Sequence, residues 1–305
     1  MTLNDLRTFV AMVDHGSVTR AAAHLRTSQP TVTRCIQRLE AALSTELIDR
    51  SAKPARVSAM GMRFYERARM IIRDVEGLRA LADEAGQPNG VLRIGAAPTV
   101  SDTVGVSAVT QLKRRYPQLR VELGSGWSAE LLDKVRLGQL DAAAIMRHSQ
   151  GGLPDGVVGE HVATHRTAIV APIASPLKGK VTFRELAAYP WVMYPENGCI
   201  CRSALQKEFE SRDLQLNVAV SDYGVERQLA LVAGGAGLGF VPEVMFRTSR
   251  CRKKLRTLRV SGFLFEFGIS VIHARALGNL TAPVRLFTKV VHDYFGPEST
   301  RQRST

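Results

Sequence analysis

Two short amphipathic repeats, separated by a polar break, constrain the fold of this chain more than any other feature. The apolar residues of each repeat recur at intervals of three and four, the spacing of one helix face. The first repeat consists of Val18, Ala21, Ala22 and Leu25, and the second of Val32, Ile36, Leu39 and Leu43. The small residues of the first repeat allow close packing, so the pattern predicts two helices that share one core.

The break between the repeats has the chemistry of a helix start. Ser28 can accept a hydrogen bond from a free amide of the second helix as its N-cap, and Pro30 lies in the first turn, where its missing N–H costs nothing. Upstream, an amphipathic segment from Leu3 to Val13 ends at Gly16 and can close a three-helix core. This arrangement predicts a helix-turn-helix that reads DNA.

The solvent-facing side of the second helix carries side chains suited to DNA. We expect base contacts near its N-terminal end, and mainly phosphate contacts from other residues there and in a Pro-containing hairpin, or wing, over residues 47–61. The expected base readers are Gln29, Pro30, Thr31 and Arg34, and the expected phosphate contacts are Ser28, Thr33, Arg38, Arg50, Lys53 and Arg56. Lys53→Ala should then weaken all sequences alike. A bundle with a solvated basic face, and a solvated hairpin, remain the alternatives.

A long helix with a heptad seam follows the wing. Its apolar residues alternate at intervals of four and three, which favours pairing with a second copy, and the alternative is packing on its own domain. The seam residues are Phe64, Ala68, Ile71, Val75, Leu78 and Ala82. A dimer built on this seam would present two reading helices to two DNA half-sites.

Beyond the sequence Gly-Gln-Pro-Asn-Gly at residues 86–90, strands and helices alternate, which predicts parallel sheets with helices on both faces. The alternation of strands and helices is interrupted and then resumes, so two α/β lobes are expected. The predicted units are a DNA-binding domain 1–60, a linker helix 61–86, a hinge 87–90, lobe 1 at 91–165 with 268–297, lobe 2 at 166–267, and a basic tail 298–305.

Ligands of open α/β sheets bind at the carboxyl ends of strands, so the cleft between the lobes is the expected small-molecule site. Helix N-termini and Arg202 favour an anion such as a carboxylate, and Trp127 and Tyr223 could flank a ring. The candidate residues are Pro98, Thr99, Val100, Gly126, Trp127, Ser128, Cys199, Arg202 and Tyr223.

Composition excludes several classes of protein. The net charge of +13 suits a polyanionic partner. Four cysteines, at positions 35, 199, 201 and 251, are too few for a secreted disulfide framework, and no ligand set for metal or motif for a cofactor occurs. Without an export signal or an apolar run of about 18 residues, a cytoplasmic protein with no membrane contact is expected.

The whole pattern resembles the LysR-type transcriptional regulators. The resemblance rests on positions spread over the N-terminal region and on Gly234–Pro242: Phe9, Gly16, Ser17, Ala21, Ala22, Leu25, Ser28, Gln29, Pro30, Val32, Thr33, Ile36, Leu39, Glu40, Leu47, Arg50, Ser58 and Gly61. It implies a winged helix-turn-helix, a linker-helix dimer that assembles further into a tetramer, and a two-lobed effector domain similar to type II periplasmic solute-binding proteins. Promoter DNA, a small effector and, for an activator, RNA polymerase would be the partners.

Other functions stay open beside a ligand-responsive regulator. A thiol redox sensor could use Cys199 and Cys201, and an architectural DNA-binding protein would need no effector. An enzyme or a solute-binding protein would lack parts, since no nucleophile elbow, metal set or secretion signal occurs. A regulator without a catalytic step is therefore predicted.

Overall fold

The computed structural model describes residues 1–52, 55–82, 88–148, 152–195, 198–275 and 277–296, with the backbone alone at 73, 76 and 79–82. Several predicted features lie outside the described residues. They are Lys53, the Ala82 side chain, the end of the predicted linker with the start of the hinge at 83–87, and the tail 298–305. No helix of the described part is both long and apolar enough to cross a membrane.

Three helices form the N-terminal core. They are α1 (Leu3–His15), α2 (Val18–His24) and α3 (Gln29–Leu43). A capping box between Thr2 and Asp5 starts α1, and Gly16 ends it in the left-handed conformation at φ 64°. Two short antiparallel strands follow, β1 (Ile48–Asp49) and β2 (Arg56–Val57), so the predicted wing is present.

The long helix α4 (Ala59–Ala82) begins on this same core. Ala68 is buried there, and the ring of Phe64 meets that of Phe9 at a centroid distance of 5.4 Å. The first part of the predicted dimer seam therefore packs on its own domain. Farther along the helix, Ile71 and Leu78 are 47% and 66% exposed.

The first part of the α/β region alternates strands and helices as the sequence predicts. Its elements are β3 (Gly90–Ala96), α5 (Pro98–Arg115), β4 (Leu119–Ser125), α6 (Ser128–Arg136) and β5 (Ala142–Arg147). The strand β3 pairs in parallel with both β4 and β5. The carboxyl ends of β3 and β4 consequently deliver the first turns of α5 and α6 to one edge of the sheet.

The second part begins in a strand of 16 residues, β6 (Val157–Pro172), of which only 167–171 is predicted from the sequence. Its other elements are β7 (Lys180–Val181), α7 (Phe183–Ala187), β8 (Trp191–Met193), α8 (Ile200–Glu210), β9 (Val218–Ser221), α9 (Val225–Ala233), β10 (Leu238–Pro242), α10 (Glu243–Thr248) and β11 (Leu255–Val260). Of these, β7, α7, α10 and β11 have no counterpart in the predicted pattern, because short elements carry little periodicity.

The chain then returns through β12 (Glu266–Ala274) and α11 (Thr281–Phe295). The strand order is β4-β3-β5-β12-β6 in lobe 1 and β6-β10-β8-β9 in lobe 2, and β6 belongs to both. The sheets are mixed rather than parallel, because β12 runs antiparallel to β5 and β6, and β10 antiparallel to β6. A shared strand thus joins the lobes beside the cleft.

Candidate nucleic-acid interface and ligand cleft

The helix α3 has one buried and one exposed face. Its buried side chains are Val32, Cys35, Ile36 and Leu39, and its exposed ones include Gln29, Pro30, Thr31, Thr33, Arg34, Gln37 and Arg38. Leu43, predicted as part of the buried repeat, is 36% exposed at the last residue of the helix. The Ser28 hydroxyl accepts a hydrogen bond from the Thr31 amide at 3.3 Å, so the predicted cap is present. The N-terminal end of α3 therefore offers polar side chains on a rigid first turn.

Arg38 is engaged inside the domain. Its guanidinium pairs with the Asp5 carboxylate of α1, whose side chain is completely buried. The hydrogen bond from Arg38 lowers the pKa of Asp5 from 3.8 to about 2, although burial acts in the opposite direction. We therefore assign Arg38 a structural role in joining α3 to α1, which the spacing on α3 alone does not reveal.

Glu40 attaches the wing to α3. Its carboxylate accepts hydrogen bonds from the amides of Leu47 and Ile48, at 2.9 and 3.1 Å, and from Arg50 at 2.7 Å. Burial would raise the pKa of Glu40, but these hydrogen bonds outweigh it and lower the pKa. Arg50 is thus held against the protein, whereas Arg56 is 76% exposed and lies 3.5 Å from Asp49.

A narrow cleft with about 20 Å³ of accessible space lies between the two lobes, so a ligand larger than water could enter only if the lobes moved apart. It is lined by the first turns of three helices and by the ends of nearby strands. The lining residues are Ala97, Pro98, Thr99, Trp127, Ser128, Met146, Tyr194, Gly198, Cys199, Ile200, Cys201, Phe240 and Pro242. The helices α5, α6 and α8 all begin here, and none has a side-chain N-cap hydrogen bond.

Contacts across the cleft hold the lobes together. The hydroxyl of Thr99, from lobe 1, lies 3.3 Å from that of Tyr194, from lobe 2. The Trp127 ring meets the Tyr194 ring edge to face at 5.7 Å and packs on Gly198, where an added Cβ would lie 2.5 Å from Trp127 Cγ. Since Gly198 also has φ +88°, no other residue fits this contact without strain.

The two thiols of the cleft have opposite tendencies. A hydrogen bond from Cys201 and the amides at the start of α8 lower the pKa of Cys199 despite its burial. The same pairing and complete burial raise the pKa of Cys201. Both cysteines are free thiols in the structure.

The structure brings only some of the predicted effector residues together. Pro98, Thr99, Trp127, Ser128 and Cys199 line the cleft. Of the others, Val100 is fully buried in the core of lobe 1, because it lies on the inner face of α5. The amide of Gly126 donates to the Ala96 carbonyl at 3.2 Å.

Arg202 and Tyr223 also lie off the lining. Arg202 donates to the Tyr194 carbonyl at 2.9 Å and so supports the cleft from behind. Tyr223 is 59% exposed, with its ring 6.1 Å from that of Trp127 at the rim.

Two similarities place the chain in a family. Residues 3–62 match the model of the bacterial regulatory helix-turn-helix protein, lysR family. Residues 85–296, more than half of the chain, match the model of the LysR substrate binding domain. The chain belongs to the LysR family. As a LysR-type regulator it is a DNA-binding transcriptional regulator, in a family that is not enzymatic.

Curated LysR-type relatives cover most of their own length and of this chain. The regulator CysL of Bacillus subtilis strain 168 is 27% identical over 280 residues, which are 90% of this chain and 91% of CysL. A probable hydrogen peroxide-inducible genes activator of Mycobacterium leprae is 30% identical over 266 residues, 83% of this chain and 82% of its own.

Solved LysR-type structures share the fold. A single-substitution variant of full-length OxyR from Pseudomonas aeruginosa superposes with a TM-score of 0.75 at 20% identity, covering 96% of this chain and 98% of OxyR. Full-length CbnR bound to its target DNA superposes with a TM-score of 0.56 at 19% identity, covering 95% of this chain and 99% of CbnR. The predicted fold class, a winged helix-turn-helix followed by an α/β effector domain, is thereby confirmed.

Several lining residues of this LysR-type cleft were not predicted. Tyr194 directly follows β8, so the strand-end rule that singled out Thr99 and Trp127 could have found it. Phe240 and Pro242 belong to β10, which reads as a buried strand with no sign of a ligand.

Proposed function

We propose that this LysR-type regulator senses a small anionic metabolite in the cleft between its lobes. The observation that carries the proposal is the meeting of α5, α6 and α8 at one cavity, each starting without a side-chain cap. The positive ends of three helix dipoles favour a negative group such as a carboxylate. Helix ends, rather than Arg202, then supply the attraction.

The rest of the cleft suits a compact, partly apolar ligand. Trp127 and Tyr194 offer ring faces and edges, and the Thr99 hydroxyl can exchange its Tyr194 partner for a ligand oxygen. Such an exchange would replace contacts that now join the lobes. Ligand binding would thus change the angle between the lobes. The helix α4 would transmit this change to a second copy of the chain.

The proposed assembly follows from the exposed apolar residues of α4. A dimer, and a tetramer made of two dimers, would hold several reading helices on promoter DNA in the bacterial cytoplasm. Where the regulator activates, RNA polymerase would be a further partner. The change in assembly geometry on ligand binding would be the regulatory output.

Calorimetry on the full chain with a panel of metabolite carboxylates tests the ligand proposal. Thr99→Ala should weaken the binding of a responsive carboxylate roughly 5- to 10-fold, the worth of one hydrogen bond. Thr110→Ala, on the exposed face of the same helix, should leave it unchanged. Absence of heat from every carboxylate, or equal affinities for both variants, would contradict the proposal.

A thiol sensor is the second candidate, and the Cys199–Cys201 pair in the cleft favours it. The Cys199 thiolate would attack one oxygen of hydrogen peroxide and break the O–O bond. Cys199 would become a sulfenic acid, and the departing hydroxide would be protonated to water. One of the relatives named above is a probable hydrogen peroxide-inducible genes activator. A disulfide between residues two apart bridges poorly, so an external thiol would restore the pair.

Mass spectrometry separates the two candidates. Peroxide should add one oxygen to Cys199 and alter the DNA footprint in a Cys251→Ser control but not in Cys199→Ser. A footprint that responds to carboxylates and ignores peroxide would reject the thiol sensor. A footprint that responds to neither would identify an architectural protein.

A further inference from the structure

Lobe 2 carries more positive charge than DNA reading or ligand binding in the cleft explains. Its residues 166–267 contain 15 Lys and Arg against nine Asp and Glu, so they hold +6 of the chain's net charge of +13. The DNA-binding domain, residues 1–60, holds only +3. Nearly half of the excess charge therefore lies away from the reading helix.

Eight of these cations are exposed and form no ion pair with the described carboxylates. They are Lys178, Lys180, Arg184, Arg250, Arg252, Lys253, Lys254 and Arg259. Elsewhere on lobe 2 pairing is common, as in Arg227 with Asp222 and Arg247 with Glu243. Arg252 stacks on the Phe246 ring at 4.5 Å, and the side chains of the other seven contact no described partner.

Two of these cations, Lys180 and Arg184, line a groove at an edge of lobe 2, and Arg259 lies beside Lys180. Lys180 of β7 is the register partner of Arg259 in β11, so two like charges stand side by side, an unfavourable arrangement in a sheet. The Arg259 amide donates to the Gly179 carbonyl at 2.8 Å and fixes this pairing. The groove has a volume of about 550 Å³, and Lys180, Arg184 and Arg212 line it.

The chemistry of the groove fits phosphate better than protein. Its apolar lining residues are not exposed: Val181 and Phe183 are buried, and Leu214 and Val260 are half-buried. Protein interfaces have an apolar centre and are depleted in lysine. A DNA backbone, in contrast, is recognised by lysine and arginine without base contacts.

We propose that this lobe 2 groove binds the phosphate backbone of duplex DNA next to the segment held by α3. The contact is independent of sequence. Since the helix-turn-helix already holds the chain on DNA, the local concentration of phosphate is high enough for a weak second contact to matter. The effector domain would then follow the path of the DNA directly rather than only through α4.

The test compares two triple variants of the full chain that lose equal charge. One variant, Lys180→Ala/Arg184→Ala/Arg259→Ala, removes three cations at the groove. The other, Arg275→Ala/Arg285→Ala/Lys289→Ala, removes three exposed cations of lobe 1. The probes are mixed-sequence duplexes of about two and about eight helical turns, roughly 20 and 80 base pairs. Affinity is measured over a range of salt concentrations.

The groove variant should bind the long duplex roughly 10- to 100-fold more weakly, and its slope of log Kd against log salt should fall by about 3. The lobe 1 variant should match the unchanged chain, and the short duplex should distinguish the proteins little. Unchanged slopes in the groove variant, or equal losses in both variants, would overturn the proposal, including the case in which the groove serves an acidic protein.

Lysine-reactive footprinting of the unsubstituted chain provides a measurement that does not depend on variant folding. The long duplex should protect Lys180 from modification and leave Lys289 reactive. Equal reactivity of Lys180 with and without DNA would overturn the proposal.

Discussion

At the scale of single residues, the pair of Asp5 and Arg38 shows how a basic side chain on a DNA-facing helix can serve the fold. The Asp5 carboxylate is buried, so it needs a partner, and Arg38 is the cation within reach. Arg34, one turn earlier on α3, is exposed and pairs with no described carboxylate. Arg38 therefore stabilises the fold, whereas Arg34 is available to contact DNA.

Asp5→Asn should lower the free energy of unfolding at neutral pH by about 1–2 kcal/mol, because it replaces a buried charged hydrogen bond. The folded-state pKa of about 2 lies below the usual 3.8. The stabilisation of the folded state by the ionised Asp5 carboxylate is therefore complete above about pH 4 and is lost as the pH falls towards 2. Urea unfolding at several pH values should show this acid dependence weakened in Asp5→Asn and retained in Asp133→Asn, an exposed control.

Arg34→Ala should reduce the affinity for a preferred operator roughly 10- to 100-fold and affect scrambled DNA much less, because a base contact carries sequence choice. Selection of operators from a random pool, followed by binding titrations, measures both. Equal losses on operator and scrambled DNA would assign Arg34 to phosphate instead.

At the scale of elements, α4 has two different halves. Its start completes the N-terminal core through Phe64 and Ala68, whereas Ile71 and Leu78 project apolar surface at heptad spacing. A helix with such a stripe is stable in water when a second helix covers it. The exposed half is therefore the part of the seam that would pair.

Leu78→Asp should convert the proposed dimer to monomer at micromolar concentration, because it places a charge at a seam position that the second copy would bury. Sedimentation velocity measures the change. Val106→Asp is the matched control, since Val106 is 83% exposed on α5 outside the seam. A Leu78→Asp protein that sediments like the control would place the oligomer contact elsewhere.

At the scale of the whole molecule, Arg69 connects the DNA-binding domain to lobe 1. Its guanidinium donates to the Gly138 carbonyl at 3.2 and 3.0 Å, to Asp14 at 3.0 Å and to the Tyr65 hydroxyl at 2.7 Å. Burial and the hydrogen bond to Asp14 raise the pKa of Tyr65 to about 12, so the phenol remains neutral at physiological pH. One side chain on α4 thus contacts both the DNA-binding domain and lobe 1.

Arg69→Ala should destabilise the protein by about 2 kcal/mol and separate the melting of the DNA-binding domain from that of the effector domain. Scanning calorimetry should show two unfolding transitions in Arg69→Ala and one in the unsubstituted chain. Arg67→Ala, whose side chain is exposed on the same helix, should melt like the unsubstituted chain. A single transition in both variants would mean that Arg69 does not couple the domains.

The sequence by itself determined the elements that depend on local chemistry. Ser28 and Pro30 specify where α3 begins, and the spacing of Val32, Ile36 and Leu39 specifies which face is buried. The strand ends of lobe 1 located Thr99 and Trp127, because the carboxyl edge of a parallel sheet follows from strand order alone.

Only the tertiary structure decided the assignments that depend on residues distant in the chain. Arg38 and Asp5 are 33 residues apart, and Thr99 and Tyr194 are 95 apart, so no local pattern pairs them. Lys180 and Arg259 of lobe 2 became neighbours because β11 pairs with β7 and aligns the two residues. Periodicity reports what one element does, whereas partners, burial and the meeting of charges are set by the packing of all of them.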